Sequence, residues 1–128
     1  MVVRVLAMAK QSELLCLIKQ LKDVPEVIRL GTPQVLHTGA IQRILEFGKG
    51  AIPLLTACLK QGEKPQIAQA VYVLGELYAV STIPDLLALR EQVQQIESKT
   101  PWDYAILGQI TVALRKLQHS NPPEVQQR

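Results

Sequence analysis

Aromatic residues are scarce in this chain: one Phe, one Trp and three Tyr are 4% of its 128 residues. β-Sandwich cores draw on aromatic and β-branched side chains, whereas the Leu, Ala, Ile and Gln abundant here favour helices. There are only two histidines, His37 and His119, far apart in sequence. They do not form the clustered His, Cys, Asp and Glu set that a metal needs at ligand spacing. There are two cysteines, Cys16 and Cys58, 42 residues apart and each inside an apolar run. A disulfide or redox pair is one reading. Two small buried hydrophobes in a reducing compartment is the preferred one, so both are expected to be reduced and buried. No window of 18 residues is both apolar and uncharged, so no membrane insertion is expected. The opening MVVRVLAMAK has no basic stretch ahead of its apolar run and is interrupted by Arg4, which argues against a signal peptide. A soluble cytoplasmic protein is the expectation.

Hydrophobic residues are 48% of the chain and charged residues 20%, which excludes wholesale disorder. The length suits one domain with a core that needs neither disulfides nor metal. The net charge of +3 is spread thinly, and the closest basic pairs are Lys19/Lys22 and Arg115/Lys116. A nucleic-acid surface needs a denser stripe. Gly48-Lys49-Gly50 reads as a joint between helices, because no Ser or Thr follows the lysine as a phosphate loop requires. His37 could serve as a ligand or base. The commoner role for such a residue is a helix-flank histidine bonded to backbone or water. No Ser/His/Asp or Cys/His pattern stands out. No catalytic, cofactor-binding or metal-binding residue is assigned, and an enzyme is not expected.

Self-comparison is more informative. An apolar–Pro–x–apolar pattern occurs at Val24-Pro25-Glu26-Val27, Ile52-Pro53-Leu54-Leu55 and Ile83-Pro84-Asp85-Leu86. The last two lie 31 residues apart, with Ala57 and Ala88 at matching offsets. Each is followed by a second proline, at 33, 65 and 101, that opens another apolar-periodic segment. Proline suits the first turn of a helix, where its fixed φ is right and its missing N–H is not needed. Thr32, Thr82 and Thr100 stand as candidate N-caps, the last two with Asp85 and Asp103 three residues on. Gly31, Gly48 and Gly62 follow segments where left-handed C-caps are wanted.

The pattern predicts an all-α chain: a helix at 3–22, helix pairs over 24–47 (24–30 and 33–47), 51–79 (51–61 and 65–79) and 82–118 (82–98 and 101–118), and a flexible tail at 119–128. One domain spans 1–118. Spacing of i, i+3, i+4, i+7 puts Ile67, Ala70, Val71, Leu74, Leu77 and Tyr78 on one face, and Tyr104, Leu107, Ile110, Leu114 and Leu117 on another. No segment alternates strictly, so no sheet is expected. Helix 3–22, with Leu14, Leu17, Ile18 and Leu21, would cover the open end of the stack.

These residues resemble the short HEAT-like repeats of bacterial proteins, including phycobilin lyase subunits and related phycobilisome proteins. Ala51-Ile52-Pro53-Leu54-Leu55-Thr56-Ala57 is similar to that family's Ala-Val-Pro-x-Leu opening. Val73-Leu74-Gly75-Glu76-Leu77 is similar to its Ala-Leu-Gly-x-Ile segment, and the likeness covers roughly residues 24–118. Two departures stand out. Tyr78-Ala79-Val80-Ser81 replaces the usual Gly-Asp-Pro loop, and Lys64-Pro65-Gln66-Ile67 lacks the Asp and Arg of the usual second-helix start. The resemblance implies a short right-handed α-α superhelix, a HEAT-like solenoid of three helix pairs with an N-terminal capping helix. It implies a protein–protein interaction module, an adaptor or assembly factor, with another protein as partner. The alternative is a subunit of a bilin lyase-type enzyme. A third reading, nucleic-acid binding, is permitted by the pI of 9.0 but lacks a basic stripe.

In that family the second helix of each pair lines the concave side. At 100° per residue this turns Gln69, Tyr72 and Glu76 outward on 65–79, and Trp102, Ala105, Gln109 and Lys116 outward on 101–118. The expected partner-binding residues are therefore Gln69, Tyr72, Glu76, Trp102, Gln109 and Lys116, with Gln109 following Tyr72 in the next repeat.

Overall fold

Among the described residues, four of the five segment-opening prolines begin a helix. The computed structural model describes residues 2–22, 28–29 and 32–118. It contains α1 (Val2–Gln20), a two-residue strand β1 (Ile28–Arg29), β2 (Thr32–Pro33), α2 (Gly39–Phe47), α3 (Ile52–Gln61), α4 (Lys64–Glu76), α5 (Ile83–Gln94) and α6 (Pro101–Gln118). Pro53, Pro65 and Pro84 lie in the first turns of α3, α4 and α5, and Pro101 is the first residue of α6. Single 3-10 turns at Gly48–Ala51 and Val80–Thr82 lead into α3 and α5.

The described residues are mostly helical, as expected, and one exception is instructive. Ile28 pairs with Pro33 and Arg29 with Thr32 in an antiparallel ladder, so the expected absence of sheet is corrected. The expected helix 33–47 begins only at Gly39. Thr38, not Thr32, is its cap, and its hydroxyl oxygen accepts the Ile41 N–H at 3.3 Å. Residues 28–29 are strand rather than helix. The rest of the expected 24–30 helix, with Pro25 and Gly31, lies outside the described residues, as does the expected 119–128 tail with His119.

Caps show which local signals worked. Thr100 and Asp103 form the expected box: the Thr100 N–H donates to Asp103 Oδ2 at 2.7 Å, and the Asp103 N–H points back at Thr100 Oγ1. Thr82 does not cap α5 by its side chain; its hydroxyl donates to the Ala79 carbonyl at 2.7 Å. At the start of α4, the Glu63 N–H donates to Gln66 Oε1 while Gln66 Nε2 donates to the Ile18 carbonyl at the end of α1, at 3.2 and 3.0 Å. Gly48 closes α2 with the left-handed φ of +66° that glycine tolerates. Gly62 closes α3 in extended rather than left-handed backbone. Where α4 ends, the Ala79 N–H reaches the Leu74 carbonyl and the Tyr78 N–H the Gly75 carbonyl, with Tyr78 itself left-handed at φ 52°. That is a Schellman ending with tyrosine in the place usually given to glycine. It ends the helix at Glu76 and turns Tyr78 to solvent, so Tyr78 leaves the apolar face assigned to it.

Helix α4 is the centre of the fold. It packs on α3, α6, α2 and α1, and most extensively on α6. The α4–α6 contact runs parallel: Lys64 meets Asp103 at 3.0 Å, Glu76 meets Lys116 at 2.9 Å, and Gly75 faces Ala113. Gly75 permits the closest approach, since a Cβ there would lie 3.2 Å from both Cα and Cβ of Ala113. Helix α3 also contacts α5, and α5 contacts α6. Leu14, Leu17, Ile18 and Leu21 are buried, and α1 packs on α2, α3 and α4. Cys58 is buried, and burial pushes its thiol up to about 11. Cys16 is exposed, correcting the expectation of two buried thiols: it points away from the Leu14, Leu17 and Ile18 face of α1. Both cysteines are free. No helix among the described residues is long and apolar enough to cross a membrane.

Candidate functional site

Parallel packing of α4 on α6 brings four of the six expected residues together. Tyr72, Gln109 and Lys116 line one shallow hollow with Gly75, Val112 and Ala113, and Glu76 is joined to it through Lys116. Tyr72 on α4 and Gln109 on α6 are neighbours in this hollow. A fifth member, His37, arrives from the extended segment before α2. Its Nδ1 lies 2.9 Å from the Tyr72 hydroxyl and its Nε2 lies 2.8 Å from Gln42 Oε1. Because Gln42 Oε1 can only accept, Nε2 carries a hydrogen. In the neutral ring, Nδ1 then accepts from the Tyr72 O–H. The two rings meet edge to face, with centroids 5.9 Å apart and an interplanar angle of 88°. Lys116 Nζ sits 5.7 Å from the Tyr72 ring centroid while holding Glu76, adding a cation–π contact.

The electrostatics follow from this arrangement. The Lys116 ammonium holds the Glu76 carboxyl below its usual range, against the opposing effect of partial burial. Burial and the neighbouring Glu76 charge both raise the Tyr72 phenol, which stays neutral and able to donate. Both shifts move away from neutrality, so these groups hold fixed charges and donors instead of exchanging protons at pH 7.

Two expected residues are placed differently. Gln69 is fully buried instead of outward. The reason is that α4 is packed on several sides, so its buried face runs through Ala68–Val71 and Val73–Gly75, wider than one helical stripe. The Gln69 amide nitrogen and oxygen find no hydrogen-bond partner among the described residues. Trp102 is half-buried against the core and does not line the hollow, and Ala105 is buried as well. A large indole in the first turn of α6 gains more from covering apolar neighbours than from facing water. Tyr72 is itself only half-exposed and packs on the core.

Sequence reasoning did not place His37 here. Its flank position before Thr38 was legible, but its bonds go to two side chains, one of them 35 residues away. Gly75 gave a usable signal, since a glycine inside a helical pattern marks close backbone approach. Among the described residues, no group of three or more His, Cys, Asp or Glu is placed to hold a metal. Comparison of the chain with family models, curated proteins and solved structures finds no match in any of the three.

Proposed function

We propose that the chain is a short HEAT-like helical-repeat protein that works as a protein–protein interaction module, an adaptor or assembly factor. Its partner docks on the α4–α6 seam. Support for the repeat reading comes from the parallel second helices α4 and α6, from the α3–α5 contact, and from α1 covering the stack. The single observation that carries the functional reading is the Tyr72 ring, fixed between His37 and Lys116 beside Gln109 and the exposed Val112. A pre-ordered aromatic flanked by paired charges loses little entropy on binding and is the kind of residue that dominates interfaces.

Tyr72→Ala would confound the test, because the ring also packs on the core. Gln109→Ala combined with Val112→Arg leaves that packing in place and alters the rim of the seam. The native chain and this double variant are used as bait in affinity capture from the native source, and their melting temperatures are compared. The expected outcome is an unchanged melting temperature with capture of one specific protein weakened by about 1–3 kcal/mol, a hot-spot loss. Equal capture by both baits at equal stability would sink the seam as the docking site.

A further inference from the structure

Five cations among the described residues are held by carboxylates of the fold. Lys22, Arg43, Lys60, Lys64 and Lys116 each meet a carboxylate: Glu63, Glu13 with Glu46, Asp85, Asp103 and Glu76 respectively. Arg90 on α5 and Arg115 on α6 meet no carboxylate among the described residues. They line one cleft of about 270 Å³ between their helices, with Thr111, Leu114 and Gln118. No carboxylate of the described residues lines that cleft. Glu91, next to Arg90 in sequence, accepts instead from Gln95 Nε2 at 3.0 Å. Leu114 is buried and forms an apolar wall. The Thr111 hydroxyl is committed to the Leu107 carbonyl at 3.0 Å, so the remaining free side-chain donor is the Gln118 amide.

We propose that this α5–α6 cleft is an oxyanion site that takes a phosphate dianion, either free phosphate or a phosphate monoester. Two like charges sharing a cleft repel, and a doubly charged oxyanion between them removes that repulsion. A guanidinium presents two parallel N–H groups to an oxyanion, and two arginines from facing helices can grip it from both sides. Charge arithmetic selects among oxyanions. Two guanidinium groups match a phosphate, which carries about −1.5 to −2 at pH 7, whereas one carboxylate leaves a positive charge uncompensated. The α6 C-terminus nearby opposes an anion with roughly half a negative charge, which two full positive charges outweigh. This site is separate from the α4–α6 seam, and its test does not depend on that reading.

The full chain is titrated at pH 7.5 and fixed ionic strength with inorganic phosphate, with a capped phosphoserine tripeptide and with acetate. Binding is read from the Arg Nε–H resonances and by calorimetry. The expected result is saturable phosphate binding that moves the Arg90 and Arg115 signals together, with acetate weaker by about tenfold. Arg90→Gln and Arg115→Gln should each weaken binding about tenfold with the fold intact, while Arg43→Gln leaves it unchanged. The source is read from the two phosphate arms. A phosphopeptide bound about tenfold more tightly than the free ion assigns a protein-borne phosphate. Equal affinities assign the free ion, and both results keep the cleft as the site. Non-saturable shifts with native protein, or a double Arg90→Gln/Arg115→Gln variant that binds phosphate as well as the native chain, would overturn it.

Discussion

The two halves of this chain use the same punctuation to different ends. From Ile52 to Gln118, each of four prolines opens a helix, and the helices interlock through α4. Between Ile28 and Phe47, Pro33 lies in a strand and the helix waits until Gly39. Proline permits a helix start but does not impose one. Pro101 is backed by the Thr100–Asp103 box and by an apolar stripe that runs on without a break into Ile110 and Leu114. Pro33 is followed by Gln-Val-Leu-His-Thr, and Thr38 offers a competing cap just where Ile41 and Ile44 begin to be buried. The better cap, placed next to the buried stripe, decides the start.

The largest expected effect tests what holds the regular half together. Gly75→Leu must push α4 off Ala113, and overpacking a close helix crossing costs about 1–3 kcal/mol or more. Gly108→Ala, in the same interlocked half but with open space around its position, should instead stabilise by about 0.5–1 kcal/mol. Chemical denaturation of both variants checks the pair. Stabilisation of both variants would mean that glycine in these helices answers to propensity alone.

Next in size is the Asp103 cap. Burial raises this carboxyl, but the Thr100 N–H and hydroxyl and the Lys64 ammonium outweigh burial and hold it below the ordinary range. A depressed folded-state value contributes stability that is complete above the unfolded carboxyl value of about 4 and is lost as pH falls through the folded one. Melting temperature should therefore fall steeply below about pH 4, and Asp103→Asn should flatten that fall. At neutral pH the same change should cost about 1–2 kcal/mol, the scale of a lost cap whose partners stay in place. An unchanged acid limb in the variant would locate the acid sensitivity elsewhere.

Thr38→Ala gives the smallest effect and sharpens the contrast from the other side. Losing the α2 cap should cost about 1 kcal/mol. If Thr32 and Pro33 hold a latent start, the helix will lengthen toward them and far-ultraviolet dichroism will deepen. If the strand pairing of Thr32 and Pro33 is the stronger preference, dichroism will stay the same or shrink.

What was legible in the sequence was local and periodic. The bounds of α3 and α6 and the buried face of α1 all follow from prolines, caps and 3.6-residue spacing. The nearness of Tyr72 to Gln109 was legible too, because both fall on the outward stripes that 3.6-residue spacing assigns to α4 and α6. The burial of Gln69 was not, since a helix wheel assumes one buried side and α4 has several neighbours. The His37–Tyr72 bond was hidden for a related reason: it joins an irregular segment to a distant helix, and no periodicity spans them.

Gln66 links two helix ends with one amide. Its oxygen accepts from the Glu63 N–H while its nitrogen donates to the Ile18 carbonyl, and because the group is planar with two chemically distinct ends, each bond fixes the orientation that the other needs. Fraying α1 at its last turn therefore strips a partner from the start of α4, and unwinding α4 at its first turn does the same to α1. The opening of the terminal helix is thermodynamically tied to that of the central one, so amides late in α1 and early in α4 should exchange with solvent as a single cooperative unit.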